Sequence, residues 1–294
     1  MKYLDYDVVN VFTNRKKYGN GLAVFCDSRG LKKSVMQAIA KKLGFSETSF
    51  VFVPTKKTAD YRVRFFTPAA ELTFAGHPSL GTLFALRRLR LLNKKSGYIQ
   101  QIGQRLLNMS VLKDGRIFMD QGKPEFGKTL PPKICASLLG MSADKLAGPP
   151  MTVSTGNRHL LVPLRDIKSL ESSSINMRVY RKVAAESSAY CIMPFTIRGG
   201  NVTCRMFAPG IGVPEDPATG SGCGPLAAYL AHESLITFPD GKNRVEVEVR
   251  QGTRRNGRSL LYAWVEKEGG KIKRVRVGGR CAYQGRRQID ISTL

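Results

Sequence analysis

Three short stretches carry residue types that could move a proton. Glu47 lies among hydroxyls in Ser46-Glu47-Thr48-Ser49, His77 lies in Gly76-His77-Pro78-Ser79, and Asp216 lies in Glu215-Asp216-Pro217-Ala218-Thr219-Gly220-Ser221-Gly222. A carboxylate shielded from bulk water can take a proton from a substrate and return it. The two glycine-bearing runs each precede an apolar, helix-like segment. A helix N-terminus exposes unpaired backbone N–H groups and a partial positive charge, and glycine lets a ligand approach that backbone closely. Gly76-His77 and Gly220-Ser221-Gly222 are therefore two candidate cradles for an anion, with a substrate carboxylate as the expected occupant. Each residue alone has a bland reading: Asp216 as a cap, Glu47 as a surface position, His77 as a core imidazole. Two related cradles, each beside an ionisable group, favour function. His159 and His232 have no comparable setting and read as structural.

Several chemistries are excluded or disfavoured. Gly220-Ser221-Gly222-Cys223-Gly224 is not followed by Gly-Lys-Ser/Thr, so it is no phosphate-binding P-loop. It also lacks the spacing and preceding buried strand of a dinucleotide fingerprint. The six cysteines form no Cys-x-x-Cys pair and no Cys/His cluster, so no metal is expected and the thiols read as reduced. No apolar run is long enough for a membrane helix, and the start of the chain does not resemble a secretion leader; a cytoplasmic protein is expected. Lys and Arg number 47 against 22 acidic residues, a net charge of +25, densest over 240–294. No nucleic-acid-binding motif accompanies this charge, and charge alone gives only non-specific affinity, so specific nucleic-acid binding is not expected.

The elements that must position these residues alternate between strands and helices. Asp7–Phe12 and Leu22–Phe25 read as strands. Leu31, Val35, Ile39 and Leu43 then mark an amphipathic helix that Gly44 stops. Phe50–Val53 and Tyr61–Phe66 read as further strands. A helix beginning at Pro78 and running through Leu89 is apolar on nearly all sides, so it must be buried, with the flanking strands wrapped around it. The plan then recurs at nearly constant separation. Gly19-Asn20 matches Gly156-Asn157, Glu47 matches Glu186, and Arg64-Phe65-Phe66-Thr67-Pro68 matches Arg205-Met206-Phe207-Ala208-Pro209. Ordered matches of this kind indicate duplication. Domains of 1–121 and 122–294 are expected, divided near the Gly/Pro-marked stretch 122–132. The last strand, about 280–294, is a candidate to return to the first domain. The active site is expected between the two halves.

Ser46-Glu47-Thr48-Ser49-Phe50, the run Phe74 to Thr82, and Glu215 to Gly222 resemble the three signature segments of the PhzF family, the phenazine biosynthesis-like isomerases. The resemblance extends from Phe12-Thr13 to Val277-Gly278-Gly279. It implies an α+β, diaminopimelate epimerase-like fold of two pseudo-symmetric domains, each with an antiparallel sheet curled around a central helix. It further implies a cofactor-independent proton shift on a small carboxylate-bearing substrate, as in trans-2,3-dihydro-3-hydroxyanthranilate isomerisation, and a homodimer. Glu47 would be the general acid/base, with His77 and Asp216 completing the polar site. Ser46, Gly76, Gly220, Ser221 and Gly222 would line the substrate, with backbone N–H groups of Gly76, Ser221 and Gly222 donating to it. Ser46 stands where the family often has Asn, and Gly222 where it has Ala. Related racemases place one cysteine in each half, whereas Ala75 and Thr219 stand at the corresponding positions here, and Cys223 reads as packing. A racemase or epimerase is thus the same-class alternative. A non-enzymatic basic protein binding nucleic acid or other anions is the different-class alternative, and the set Glu47, His77 and Asp216 argues against it.

Overall fold

A computed structural model describes residues 3–253 and 258–292. The chain runs through β1 (Tyr3–Val11), β2 (Asn20–Phe25), α1 (Lys33–Leu43), β3 (Glu47–Phe52), β4 (Tyr61–Phe66), β5 (Glu71–Leu72), α2 (Gly76–Arg88), β6 (Gly97–Ile102), β7 (Arg105–Val111) and β8 (Ile117–Gly122). Then come β9 (Glu125–Thr129), α3 (Pro132–Leu138), β10 (Met151–Ser154), β11 (Arg158–Pro163), α4 (Ile167–Ser172), α5 (Met177–Ser187), β12 (Cys191–Arg198) and β13 (Asn201–Cys204). The last elements are α6 (Gly220–His232), β14 (Arg244–Gln251), β15 (Ser259–Glu268), β16 (Lys271–Gly279) and β17 (Cys281–Asp290). Two compact units result: one runs to Asp120 and resumes at Gly278, and the other comprises Gln121–Val277.

In the first unit β17, β1 and β2 pair antiparallel, β2 and β3 parallel, β3 and β4 antiparallel, β4 and β6 parallel, and β6, β7 and β8 antiparallel. The second unit repeats the order: β9, β10 and β11 antiparallel, β11 and β12 parallel, β12 and β13 antiparallel, β13 and β14 parallel, β14 and β15 antiparallel. The duplication read from local motifs is thus a duplication of strand order and direction. The sheets are mixed rather than wholly antiparallel. The physical reason lies in the connections. The chain passes from β2 to β3 through α1 and from β4 toward β6 through α2, and a helical crossover delivers the next strand in the same direction. Helices α4 with α5, and α6, do the same in the second unit.

Helix α2 is the core of the first unit. Its buried residues run almost without a break from His77 to Leu86, which accounts for its lack of a polar face. It starts at Gly76, two residues before Pro78, because proline in a first turn has no helical acceptor to lose. A Cβ on Gly81 would lie 2.6 Å from Leu22 Cδ2 and 2.8 Å from Val11 Cγ2, so only glycine lets the helix sit this close to β1 and β2. Strand alternation places Ala23 and Phe25 on the opposite face from Leu22, where they pack with Met36, Ile39 and Ala40 of α1. That helix ends at Gly44, whose φ of 68° is the left-handed cap expected of it. In the second unit α6 is buried in the same way, from Gly222 to Ala231. No helix among the described residues is long and apolar enough to cross a membrane.

Candidate active site

The stop at Gly44 turns the chain so that Glu47 becomes the first residue of β3, beside Leu22 of β2. Ser46 Oγ lies 3.2 Å from Asn20 Oδ1 and ties this corner to the start of β2. His77 is the second residue of α2. The two elements bring His77 Nε2 to 3.5 Å from Glu47 Oε2. Both atoms are buried, and neither makes a hydrogen bond. The His77 side chain is 7% exposed and that of Glu47 21%, so the pair is shielded while part of Glu47 remains accessible. Ala75 is the extended N-cap of α2, and its carbonyl accepts the Ser79 hydroxyl at 2.7 Å. The N–H groups of Gly76 and His77 have no acceptor among the described residues. A carboxylate, an imidazole and two unsatisfied backbone donors thus converge at one helix start.

In the second unit Asp216 is held by its neighbours. Its N–H donates to the Met206 carbonyl at 3.0 Å, and its Oδ2 accepts the Thr219 hydroxyl at 2.5 Å. Gln251, at the end of β14, fixes the same turn. Its Oε1 accepts the Thr219 N–H at 2.9 Å, and its Nε2 donates to the Asp216 carbonyl at 2.7 Å and to Thr219 Oγ1 at 2.8 Å. Nothing in the local motif announces Gln251, because it arrives from a strand far along the chain. Thr219 is the N-cap of α6.

The donors of this cradle differ from those expected. The Gly222 N–H is occupied by the Thr219 carbonyl at 3.1 Å, and that of Cys223 by the same oxygen at 3.0 Å. The N–H groups of Gly220 and Ser221 are the ones left without an acceptor among the described residues. Gly222 instead supplies space: a Cβ there would lie 2.5 Å from Met193 Cε and 3.1 Å from His159 Nε2. His159 is wholly buried, and burial pushes its pKa down to about 4. Its Nδ1 lies 3.0 Å from the Asn157 carbonyl, which can only accept, so Nδ1 carries the proton of the neutral ring.

Register identifies the true counterpart of Glu47. Gly19 and Gly156 both have positive φ, 91° and 131°, and open the matching strands β2 and β11. Leu22 then pairs with Glu47, and His159, at the equivalent position, pairs with Cys191. Cys191 therefore replaces Glu47 in the second unit, while Glu186 sits exposed near the end of α5. The motif match at Glu186 failed because α5 overruns the place where α1 has already stopped. Burial, and then the Asp216 charge, push the Cys191 thiol up to about 11. Burial raises Cys223 as well.

The Arg64/Arg205 match has a purpose that local sequence did not show. Arg64 holds Glu71 by two bonds of 2.7 and 2.9 Å, and Arg205 holds Glu215 by two of 2.8 Å. Each guanidinium also covers the phenylalanine two residues on, Phe66 at 5.3 Å and Phe207 at 4.6 Å. Glu71 and Glu215 lie the same distance upstream of the glycines that open α2 and α6. Each bidentate clamp therefore anchors the segment leading into a cradle. Among the described residues no grouping of His, Cys, Asp and Glu is suited to a metal ion.

Comparison with known proteins gives the family of the chain. Residues 9–286 match the family model described as phenazine biosynthesis-like protein. The trans-2,3-dihydro-3-hydroxyanthranilate isomerase of Pseudomonas aeruginosa is 31% identical over 285 residues, covering 94% of this chain and 96% of that protein. A Bacillus anthracis phenazine biosynthesis protein of the PhzF family superposes with a TM-score of 0.88 at 29% identity, covering 99% of this chain and 100% of the other. A probable proline racemase from Agrobacterium radiobacter shares the fold at a TM-score of 0.66 and 11% identity, covering 98% of this chain and 93% of the other. With its α+β units, its mixed sheets about buried helices and a family match spanning nearly all of its length, the chain belongs to the PhzF family of phenazine biosynthesis-like isomerases, built on the diaminopimelate epimerase-like fold.

Proposed function

We propose that the protein shifts a proton between two carbons of a small carboxylate-bearing substrate, in the manner of trans-2,3-dihydro-3-hydroxyanthranilate isomerase, with Glu47 as general acid/base and without a cofactor. The observation that carries this reading is the buried approach of Glu47 Oε2 to His77 Nε2 at 3.5 Å, with neither atom hydrogen-bonded. Glu47 takes a proton from one carbon as its C–H bond breaks, and the released electron pair spreads through the adjoining double bond. The protonated Glu47, whose acidic proton exchanges with solvent, then delivers a proton to the carbon at the far end of that system. His77 steadies the carboxylate between the two transfers. The N–H groups of Gly76 and His77 face the charge that develops or the substrate carboxylate. The reaction is redox-neutral and needs no electron acceptor, which is why side chains suffice.

Ser46, held on Asn20, sets the corner from which Glu47 projects. Asp216 and the Gly220 and Ser221 N–H groups are read as further substrate contacts, and Gly222 as the residue that lets that turn pack against Met193 and His159. A two-thiol racemase is disfavoured because Ala75 and Thr219 are the two N-caps. The test is turnover of trans-2,3-dihydro-3-hydroxyanthranilate and related cyclic amino and hydroxy carboxylates in deuterated water. A double-bond isomer with deuterium at the accepting carbon is expected. Inversion of a stereocentre with no bond shift, or no exchange with any member of the panel, contradicts the proposal.

A further inference from the structure

We infer that the first unit carries a second binding site, an oxyanion groove on Arg62 and Arg105, for a small phosphate- or carboxylate-bearing polyanion. A groove of about 850 Å³ is lined by Lys33, Arg62, Arg64 and Arg105, with Glu71 as its sole carboxylate. Glu71 is already consumed, held by Arg64 at 2.7 Å and by Lys33 at 3.0 Å. Arg62 and Arg105 have no carboxylate partner among the described residues. The buried Nε of Arg62 donates to nothing, and its guanidinium lies 5.1 Å over the Phe52 ring. A guanidinium held over an aromatic ring has its donors restrained near one place, and a buried donor without an acceptor is a cost that a ligand can remove.

The walls are built in advance. Gln101, paired with Arg62 across β4 and β6, accepts the N–H groups of Thr55 and Lys56 at 2.9 and 3.2 Å and donates to the Gly103 carbonyl at 3.0 Å. Lys56 Nζ reaches the Gln104 carbonyl at 2.6 Å. The loop after β3 and the turn carrying Arg105 are thereby joined into one rigid rim. Phe52, Leu72 and Ile102 add apolar lining, so the space suits a ligand with an anionic head and an apolar or planar body. None of these groups belongs to the Glu47–His77 pair, so occupancy would be separable from turnover.

The test is titration with pyrophosphate, ADP and citrate at constant, physiological ionic strength, read by calorimetry and by amide chemical shifts. Saturable binding of at least one is expected, with shifts at Gly103, Gln104 and Arg105. Tighter pyrophosphate or ADP binding identifies a phosphate ligand, and tighter citrate binding a polycarboxylate in the same groove. Arg62→Gln and Arg105→Gln should each weaken binding at least tenfold. Arg181→Gln, an equal loss of charge on exposed α5, should not. Arg105 lies exposed beside a tight turn, so its variant folds and keeps the test valid if Arg62→Gln does not. Equal affinity in Arg105→Gln and Arg181→Gln, or no saturable binding of any probe, overturns the inference.

Discussion

Cys191 holds in the second unit the strand position that Glu47 holds in the first, each at the start of a strand entering a parallel pair. The scaffold is duplicated and the carboxylate is not. A thiol pushed up to about 11 stays protonated at neutral pH and is a poor base there. Cys191→Ser should therefore lower kcat/KM by less than about threefold, within what a non-participating neighbour does. Steady-state kinetics at pH 7 decide this. A loss of a hundredfold would mean that the second unit supplies its own base.

His77→Gln keeps a polar side chain of comparable reach and removes the imidazole. On the proposed roles, in which His77 steadies the base and does not itself move the proton, it should lower kcat by about ten- to a hundredfold while Glu47 still exchanges substrate protons. Complete loss of exchange would assign His77 the proton transfer.

The two clamps should differ in strength. Arg205 is only 11% exposed and also donates to the Leu170, Glu171 and Ser173 carbonyls, so Arg205→Met leaves several buried acceptors and a carboxylate unpaired. A loss of about 3 kcal/mol is expected. Arg64 is 30% exposed, and Lys33 remains to pair Glu71, so Arg64→Met should cost about 1 kcal/mol. Urea unfolding of both variants checks the order, and equal losses would contradict it.

His159 links stability to pH. Its pKa of about 4 in the fold lies below the ordinary 6.5, so between these values the unfolded chain binds a proton that the folded chain refuses. Stability is then full above about pH 6.5 and falls as pH drops toward 4, by up to about 3 kcal/mol from this group. His159→Leu should flatten the wild-type slope across that window, whatever it does to stability at pH 7. An unchanged slope in denaturant titrations at several pH values would show that His159 is not buried in its neutral form.

What could be read from sequence was what is local. The glycine-bearing helix starts, the stop at Gly44 and the Glu47 and His77 motifs all lie within a few residues of the features that reveal them. The apolar run from Pro78 to Leu89 located α2, though the helix begins at Gly76 because its first turn needs no donors. Register was not legible. Cys191 is the partner of Glu47's position only through parallel pairing with β11, a contact between segments distant in sequence, and a chance Glu-Ser-Ser match drew attention to Glu186 instead. Gln251 escaped for the same reason. The Gly222 N–H looked free because a helix start leaves its first donors unpaired, yet here the Thr219 carbonyl curls back to take it. The mixed direction of each sheet followed from helical crossovers that strand patterning alone does not weigh.

The central claim is that Glu47 moves the proton. Glu47→Gln keeps the size and polarity of the side chain and removes its capacity to accept one. Solvent deuterium incorporation during turnover should fall by at least a thousandfold, while substrate affinity, measured by calorimetry, changes by less than about fivefold. Deuterium incorporation at the wild-type rate in Glu47→Gln would contradict the account.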